Sequence, residues 1–505
     1  MDKRLILAIA LSLLVLLLWS ALVARLQPID NKEVTEKILK SSLVSSNQIT
    51  PSLTPAEPPS SSLITLSKKD WEIIFIEPQA AIKEVVFKAY QSYKFSLQYG
   101  LLIEDKNLVF KKENISQQSA TFVYQDMGKR ITKRYLFSDS DYNLDLEIEV
   151  ENLSQQAISI NLPLVLGVLN FGREQTQARF QDVTVALSEK IIRPNARKDS
   201  LLEKVKFLGL RDRYFCAIIE PEAKDENGFI KRINPQQTEI GLVGKEILLN
   251  PGQTAKEKFH IYLGPQELRF IRQLNPDWTA VMYYGAFDFI AQILLRALEA
   301  VYRIVHNWGW AVVVLSLVIY LILYPLTIKQ MRSMKQMQAL QPITEELKKT
   351  YKDNPQKLNK ETMELYRKHK VNPLGGCLPM VLQIPIFFAL YQVLIRYIVL
   401  KGASFLWIKD LSEPDRLYIL AVSLPIVGNE INILPILISI GMFLQQKLSM
   451  RSMGTGSSEQ QRLMTMLMPV MFGFIFYHMP AGVVLYWFVN NLLMLINQLQ
   501  ISRVK

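Results

Sequence analysis

Long uncharged apolar stretches fill the second half of this 505-residue chain, whereas short alternating patterns fill much of the first half. Residues 308–327 and 374–395 contain no Asp, Glu, Lys or Arg. Each stretch is long enough to cross a bilayer core of roughly 30 Å as a helix. The pattern predicts five spans, at about 306–328, 374–397, 431–448, 463–479 and 481–500.

An earlier apolar run, residues 5–24, follows Lys3 and Arg4. A cleaved signal peptide and a retained anchor are the competing interpretations. No small-x-small cleavage pattern precedes Arg25, and the run exceeds the usual signal-peptide core of about 7–15 residues. We therefore predict that residues 1–26 form an N-terminal membrane anchor, which brings the number of spans to six.

Two further regions separate this anchor from the apolar half. Residues 27–64 are rich in Ser, Thr and Pro and predict a flexible linker. Residues 65–270 predict an all-β sandwich, because apolar residues alternate with acidic ones from Leu144 to Val150. With one span before it, this domain is expected outside the cytoplasm.

Residues 283–304 have the spacing of an amphipathic helix. The apolar side is predicted to comprise Tyr284, Phe287, Ala291, Leu294, Leu298 and Val301, and the polar side Asp288, Gln292, Arg296, Glu299 and Arg303. Its place directly before a predicted span favours a helix in the membrane interface over a packed surface helix.

The connection between the first two spans of the apolar half is strongly basic. Residues 329–370 contain eleven Lys or Arg and five Asp or Glu, a net charge of +6. The positive-inside bias predicts that this loop is cytoplasmic, with both chain termini on the same side. Helix formers interrupted by Asn354 and Pro355 predict a helical hairpin within 329–372. Its exposed basic candidates are Lys348, Lys349, Lys352, Arg367 and Lys368.

Candidate groups for covalent or metal chemistry are sparse. Cys216 and Cys377 lie in different predicted regions, and the four histidines lack metal-ligand spacing. The sequence therefore predicts neither a disulfide framework nor a metal or other cofactor, and it does not indicate an enzyme.

Several motifs in order resemble those of the YidC/Oxa/Alb family of membrane protein insertases. They are Asn307-Trp308-Gly309-Trp310, YPLT at 324–327, Leu340-Gln341-Pro342, NPLGGCLPMVLQIPIFFALY at 372–391, FLWIKDL at 405–411 and MPAGVVLYW at 479–487. The resemblance covers residues 283–500. The anchor followed by a large extracytoplasmic domain is similar to the Gram-negative bacterial YidC type.

The resemblance implies an inner-membrane insertase and chaperone without covalent chemistry, whose five-span core occupies 305–500. Such a protein inserts nascent membrane proteins through a polar groove open to cytoplasm and lipid, alone or with the Sec translocon. It also implies contact with membrane lipids and with the signal-recognition-particle receptor. The basic hairpin is the expected surface for a ribosome, through attraction to phosphate groups.

Polar residues recur within the apolar spans at helical spacing. The predicted groove residues are Ser316, Tyr320, Tyr324, Thr327, Gln383, Tyr486 and Asn490. Polar groups in a membrane need partners, so they should face protein or water rather than acyl chains. Hydrogen bonding between helices without any groove is the other interpretation of this stripe.

Position 320 departs from the family pattern. Members of the family generally carry an arginine five residues before the proline of the YPLT motif, and this chain has Tyr320 there. Attraction between such an arginine and acidic client flanks is therefore not implied here. We expect Tyr320 and its polar neighbours to supply hydration and hydrogen bonds alone.

Methionine is concentrated in the predicted membrane half. Fourteen of the 17 Met residues lie between 331 and 494, and flexible thioether side chains suit a surface that accepts many apolar segments. The predicted hydrophobic contacts are Phe387, Met464, Met468 and Met471. Ordinary core packing is the alternative for each methionine taken singly.

Three other functions compete with insertion. A transporter or channel usually places ionisable groups at mid-membrane, and the predicted spans offer none clearly. A carbohydrate-active β-domain would need paired carboxylates, whereas the acidic residues between 145 and 149 alternate along one strand. A translocon-associated scaffold that inserts nothing by itself is the remaining alternative.

Overall fold

The computed structural model describes residues 62–503, except 106, 139–141, 173–177, 224–225, 353, 370, 372–377, 425–427 and 452–458. The described residues form two compact units, one up to Ala286 and the other from Phe287 onward. The predicted anchor 1–26 lies outside the described residues, as does the predicted linker up to residue 61. The first described strand begins at Leu63, inside the predicted linker.

Antiparallel strands build the first unit. They are β1 (Leu63–Ser67), β2 (Trp71–Ile76), β3 (Ala81–Phe87), β4 (Tyr93–Gly100), β5 (Leu102–Ile103), β6 (Lys111–Ile115), β7 (Ser119–Gln125), β8 (Lys129–Phe137), β9 (Asn143–Asn152), β10 (Ile158–Ile160), β11 (Leu164–Asn170), β12 (Asp182–Leu187), β13 (Ile191–Ile192), β14 (Ser200–Arg211), β15 (Phe215–Pro221), β16 (Glu226–Asn234), β17 (Gln237–Leu242), β18 (Ile247–Leu249) and β19 (Thr254–Pro265). A short helix, α1 (Leu268–Leu274), follows β19.

These strands form two main sheets. β1 to β4 pair in sequence order as a four-stranded sheet. The larger sheet has the order β5-β11-β17-β16-β14-β15-β19-β9-β8-β7-β6, with β12 paired to β14 and β13 to β12. β10 and β18 form a separate pair.

Aromatic side chains fill the space between the two main sheets. The Phe75 ring of β2 lies 5.4 Å from Phe122 and 5.0 Å from Tyr135, and the Phe87 ring of β3 stacks on Phe215 at 4.1 Å between centroids. Pairs of this kind contribute packing beyond simple area burial. The sheets therefore share one hydrophobic core, and the β-sandwich prediction for this part of the chain is confirmed.

Alternation along β9 explains how the sequence signals this sheet. Leu144, Leu146, Ile148 and Val150 are all buried, while the acidic residues between them are partly accessible. Successive side chains in a strand point to opposite faces, so the pattern sorts apolar groups into the core.

A lysine lies inside the same core. Lys133 is fully buried, and its Nζ donates to the backbone oxygens of Ala80 and Leu101. Burial lowers the pKa of Lys133 well below its usual value. Both acceptor residues have a left-handed backbone, so this side chain holds two tight turns together.

Helices build most of the second unit. They are α2 (Asp288–Val305), α3 (Trp308–Ala339), α4 (Gln341–Thr350), α5 (Pro355–Lys368), α6 (Leu378–Arg396), α7 (Ile433–Arg451), α8 (Glu459–Tyr477) and α9 (Ala481–Arg503). α9 contacts α3, α6 and α7, while α2 contacts α3 and α6, and α7 packs on α8.

Helix α2 begins at Asp288, five residues later than the sequence predicted. Ala291, Leu294 and Leu298 are buried, as expected for its apolar side. The other side is less polar than predicted, because Phe289 and Ile304 are almost fully accessible. The helix thus has one apolar face that is packed against the protein, and two further apolar side chains, Phe289 and Ile304, that are exposed.

The basic connection folds as two helices, α4 and α5. Asn354 Oδ1 accepts a hydrogen bond from the Lys357 amide at 3.1 Å, and Pro355 occupies the first turn of α5. An asparagine whose side chain accepts a hydrogen bond from an early helix amide is a favoured N-cap. Proline is favoured in the first turn, because the N–H that it lacks would have no partner within the helix. The first helix of this hairpin begins at Gln341, later than the predicted start of the hairpin at 329, because α3 itself continues to Ala339.

Two described helices are long and apolar enough to cross a membrane, Trp308–Met337 and Ala481–Gln500. Shorter apolar helices cover Leu382–Arg396, Ile433–Leu448 and Leu467–Tyr477. The six-span architecture thus stays a prediction. One element was not anticipated: a hairpin, β20 (Tyr418–Leu424) and β21 (Gly428–Ile431), inside the connection before α7.

Candidate functional site

The polar stripe of α3 faces protein, and an apolar stripe faces outward. Leu317, Val318, Leu321 and Ile322 are exposed, whereas Ser316 is fully buried. Ser316 Oγ donates to the Val312 oxygen at 2.7 Å, and Thr327 Oγ1 donates to the Leu323 oxygen at 3.1 Å. These two hydroxyls therefore satisfy themselves within their own helix.

Tyr320 is the stripe residue that reaches another helix. Its Oη donates to the backbone oxygen of Leu493 on α9, at a long 3.4 Å. The ring of Tyr324 lies 5.9 Å from that of Tyr320 and is tilted against it. At its length of 3.4 Å the hydrogen bond of Tyr320 is weak. Tyr320 is only partly buried, so its hydroxyl also has some access to the surroundings.

A second polar group joins α6 to α9. Gln383 Nε2 donates to Tyr486 Oη, and Asn490 Nδ2 donates to the backbone oxygen of Tyr486 at 2.9 Å. Tyr486 is fully buried, while Gln383 and Asn490 are partly accessible. The structure therefore brings three of the predicted residues into one hydrogen-bonded cluster, here called the Tyr486 cluster.

Two buried asparagines extend the polar character of α9. Asn491, which the sequence analysis did not single out, packs against Gly441 of α7. Asn497 is also buried, and its Nδ2 has no hydrogen-bond partner within the described residues. A polar side chain in an otherwise apolar helix was the only available signal for Asn491.

The predicted hydrophobic contacts fall into two settings. Phe387 packs against Trp487 at 5.0 Å and Phe476 at 6.2 Å between ring centroids, so it belongs to an aromatic cluster joining α6, α8 and α9. Met471 is exposed and Met468 is half-buried. The side chain of Met464 lies outside the described residues.

Met471 belongs to an exposed apolar face of α8. This face comprises Leu467, Val470, Met471, Phe474 and Ile475, at the three- and four-residue spacing of one helix side. A large apolar surface of this kind indicates contact with lipid or with an apolar partner.

The five basic candidates of the connection, Lys348, Lys349, Lys352, Arg367 and Lys368, are all exposed on or beside α4 and α5. Their ammonium and guanidinium groups are therefore available to an acidic surface. No group of three or more His, Cys, Asp or Glu side chains suited to a metal ion occurs among the described residues.

Sequence reasoning missed a set of hydrogen bonds at the starts of α7 and α9. Asp415 is buried, and its Oδ2 accepts from the amides of Ile433 and Leu434 at 2.8 and 3.0 Å. Asp415 thereby supplies an acceptor for two backbone amides in the first turn of α7, which have no partner within the helix. The amide of Ala481, at the start of α9, donates to the Glu413 oxygen at 2.7 Å. An acidic residue eighteen positions before a helix gives no sequence signal for such a cap.

Two family descriptions match the chain. The description "60Kd inner membrane protein" matches residues 300–505, and "YidC periplasmic domain" matches residues 87–297. The second description overlaps the β-rich unit and reaches into α2, and the first covers the helices from α3 onward.

Two similar proteins with the same name illustrate the family. The membrane protein insertase YidC of Syntrophobacter fumaroxidans is 36% identical over 387 residues, which cover 74% of this chain and 68% of that protein. The insertase YidC of Geotalea daltonii is 31% identical over 422 residues, covering 81% and 76%. A crystal structure of an active YidC insertase aligns over 89% of this chain and 94% of its own, at 20% identity and a TM-score of 0.42.

Proposed function

Because the chain belongs to the YidC family of membrane protein insertases, we propose that its polar face between α3, α6 and α9 receives the polar flank of a nascent membrane protein. The protein is an insertase of the inner membrane, and its β-rich unit is the periplasmic domain. The site within the helices is our proposal.

The Tyr486 cluster is the observation that carries it. A buried tyrosine between two amides is costly to place among apolar helices unless each polar group is satisfied. Gln383 and Asn490 remain partly accessible, so this cluster has polar capacity beyond its internal bonds. Tyr320, with its long bond to α9, adds a phenol that can exchange its partner for a client group.

The proposed site is neutral. Residues 308–327, 374–395, 431–446, 463–479 and 482–500 contain no Asp, Glu, Lys or Arg. A client flank would therefore be held by hydrogen bonds and hydration, and its charge would not be selected by an opposite charge. Acidic and basic flanks are therefore expected to enter with similar ease.

The apolar segment of the client requires a separate surface. We assign this role to the exposed face of α8, which includes Met471, with the half-buried Met468 beside it and Phe387 in the aromatic cluster behind it. The apolar part of α8, Leu467–Tyr477, is about 16 Å long at 1.5 Å per residue. This length supports a locally thinned bilayer beside α8, which would shorten the path of the flank.

The proposed topology has six spans, with both termini and the α4–α5 hairpin in the cytoplasm. The charge of +6 in residues 329–370 supports it through the positive-inside bias. The exposed basic side chains of the hairpin would contact a ribosome or the signal-recognition-particle receptor, through attraction to acidic groups. The Sec translocon is a further proposed partner, and the action is non-covalent.

Site-specific photo-crosslinking to a stalled single-span nascent chain tests the proposed site. Probes replace Tyr320 and Gln383, while Val318 and Ile322 on the outward face of α3 serve as matched controls. We expect crosslinks to the client's polar flank from 320 and 383, and crosslinks from 318 and 322 only to lipid or to the apolar segment. Equal yields from all four positions would contradict a polar binding face.

Insertion by the purified chain in lipid vesicles separates insertase from scaffold. An autonomous insertase inserts a small client in the absence of other proteins. A translocon-associated scaffold, the alternative, would do so only when the Sec translocon is added. Clients that differ only in the charge of the flank test the neutral site in the same vesicles.

A further inference from the structure

Both faces of the β20–β21 hairpin are uncovered at Tyr418 and Ile419, where the structure describes the side chains. Tyr418 is 63% exposed and the next residue, Ile419, is 59% exposed, while Leu417 at the base is 47% exposed. Neighbouring strand residues point to opposite faces, so Tyr418 and Ile419 show that neither face packs on the other described residues at this point. A soluble hairpin normally buries one face against a core.

Charged groups are confined to the base of the hairpin. Arg416 Nε lies 2.7 Å from Glu430 Oε1, and Arg416 Nη2 lies 3.5 Å from Glu413 Oε2. Between Leu417 and Gly428 the sequence has no Asp, Glu, Lys or Arg. Water-facing strand edges are usually protected by charged side chains. Glu430 pairs with Ile419 across the hairpin, so the ion pairs lie at the level of Ile419 and the uncharged stretch continues beyond them. This composition therefore fits a membrane interface, where charged groups and apolar side chains lie side by side.

The base is fixed to the end of the helices. The Arg416 amide donates to Asn432 Oδ1 at 2.9 Å, and Tyr477 Oη, at the end of α8, donates to the Glu430 oxygen at 2.6 Å. β21 ends at Ile431 and α7 begins at Ile433. The hairpin is thus continuous with an apolar helix and cannot lie far from the membrane level of that helix end.

Aromatic residues mark the same level. Trp310, in the first turn of α3, is half-exposed and packs edge-on against Phe405 at 5.5 Å between ring centroids. Trp407 Nε1 donates to Asp415 Oδ2 at 3.3 Å. Tryptophan and tyrosine concentrate at membrane–water interfaces, because each has an apolar body and a polar tip. Tyr418 has the same character.

We propose that the β20–β21 hairpin is a membrane-surface anchor, in which Leu417, Tyr418 and Ile419 insert among lipid headgroups and the first acyl carbons. Deeper insertion is disfavoured, because the outer edges of a two-stranded sheet have backbone groups that hydrocarbon cannot satisfy. Headgroups and interfacial water can satisfy them. Exposure on both faces fits a surrounding lipid layer better than a protein partner, which would cover one face or one edge.

Fluorescence quenching in vesicles tests this anchor and the placement of α7 on which it depends. The full chain with Cys377→Ser is labelled with an environment-sensitive dye at Tyr418→Cys or, separately, Ile419→Cys; the fully buried Cys216 is retained. Lys409→Cys, an exposed charged position in the same connection, is the aqueous control. Ile440→Cys, on the exposed side of α7, is the membrane control.

The vesicles contain phosphatidylethanolamine and phosphatidylglycerol, with bromine on shallow acyl carbons, and iodide is the aqueous quencher. Labels at 418 and 419 are expected to be quenched by the bromolipid and to lose most of the iodide quenching seen at 409. Iodide quenching equal to that at 409, with 440 in lipid, overturns the anchor alone. Iodide quenching at 440 instead overturns the placement of α7, and protection that requires added membrane proteins identifies a protein partner and overturns the lipid anchor.

Discussion

Tyr486 connects the largest number of polar contacts among the predicted site residues. Its side chain is fully buried, its Oη accepts from Gln383, and its backbone oxygen accepts from Asn490. The carbonyl contact needs no side-chain hydroxyl, whereas the Gln383 contact does. Removal of the phenolic oxygen therefore takes away the hydrogen-bond partner of the Gln383 side-chain amide.

Replacing Tyr486 by Phe is expected to weaken the helical unit and client insertion together. The change removes the partner of the Gln383 amide, and the loss of one hydrogen bond from a partly accessible group costs about 0.5–1.5 kcal/mol. Thermal unfolding in detergent and insertion in vesicles measure the two effects. Tyr320→Phe is the control, since its bond to Leu493 is long at 3.4 Å and its loss should destabilise less. A larger loss of stability from Tyr320→Phe would contradict this ranking.

Glu257 gives the periplasmic domain a pH-dependent stability. Burial, with the neighbouring Glu226 carboxylate, raises the pKa of Glu257 from 4.5 to about 7. The folded domain therefore keeps a proton that the unfolded chain releases at lower pH. The resulting stabilisation is complete below pH 4.5 and is lost as the pH rises through about 7.

Glu257→Gln should flatten this dependence. Urea unfolding of the full chain in detergent, read by proteolysis of the β-rich unit, would be compared at about pH 5 and about pH 8. We expect the variant to lose less stability than the parent protein between the two conditions. Glu203→Gln, at an exposed position, should behave like the parent protein. An equal loss in all three proteins would exclude Glu257 as the titrating group.

Helix α9 organises the second unit, because it contacts α3, α6 and α7. Different sides of α9 serve different neighbours. Tyr486 and Asn490 belong to the side shared with α6, while Asn491 lies against Gly441 of α7. A Cβ atom at position 441 would lie 2.5 Å from Asn491 Oδ1, so the close approach of these two helices depends on the glycine.

Gly441→Ala is expected to loosen the contact between α7 and α9. Forcing an extra carbon into a packed site costs about 1–3 kcal/mol. The midpoint temperature of thermal unfolding in detergent should be lower for Gly441→Ala than for the parent protein. It should change little for Ile440→Ala, because Ile440 is exposed at the adjacent position of the same helix. Unchanged stability in Gly441→Ala would show that Asn491 moves aside at little cost.

At the scale of the whole molecule, the distribution of charge along the chain predicts its orientation in the membrane. The α4–α5 hairpin belongs to a segment with a net charge of +6, while the β-rich unit precedes the helices in the chain. The positive-inside bias then predicts that the two are on opposite sides of the inner membrane.

Side-specific cysteine labelling in cells tests this orientation. In the Cys377→Ser background, Met127→Cys in the β-rich unit should react with a membrane-impermeant maleimide in cells with a permeabilised outer membrane. Lys349→Cys should react only after the inner membrane is also opened. Both positions are highly exposed, so a failure to react reports the compartment rather than burial. Labelling of Lys349→Cys in intact inner membranes would contradict the predicted topology.

Local patterns account for what could be predicted at each scale. The alternation from Leu144 to Val150 predicted a strand, and Asn354 with Pro355 predicted the start of α5, because each signal lies within a few residues of its effect. The β20–β21 hairpin was missed, since a short uncharged run such as 417–428 cannot be told from a buried helix segment by its pattern alone. The start of α2 was placed too early because Tyr284 and Phe287 fit its apolar spacing.

The sequence by itself determined the family, the division into a β-rich and an apolar half, and the basic connection, since motifs, periodicity and charge are properties of the linear chain. Only the tertiary structure decided which polar residues meet. Gln383 and Tyr486 are 103 positions apart, and Asp415 caps a helix that begins eighteen positions later. Such contacts depend on how the helices pack, and helix periodicity assigns a residue to a side without naming the neighbour it will face.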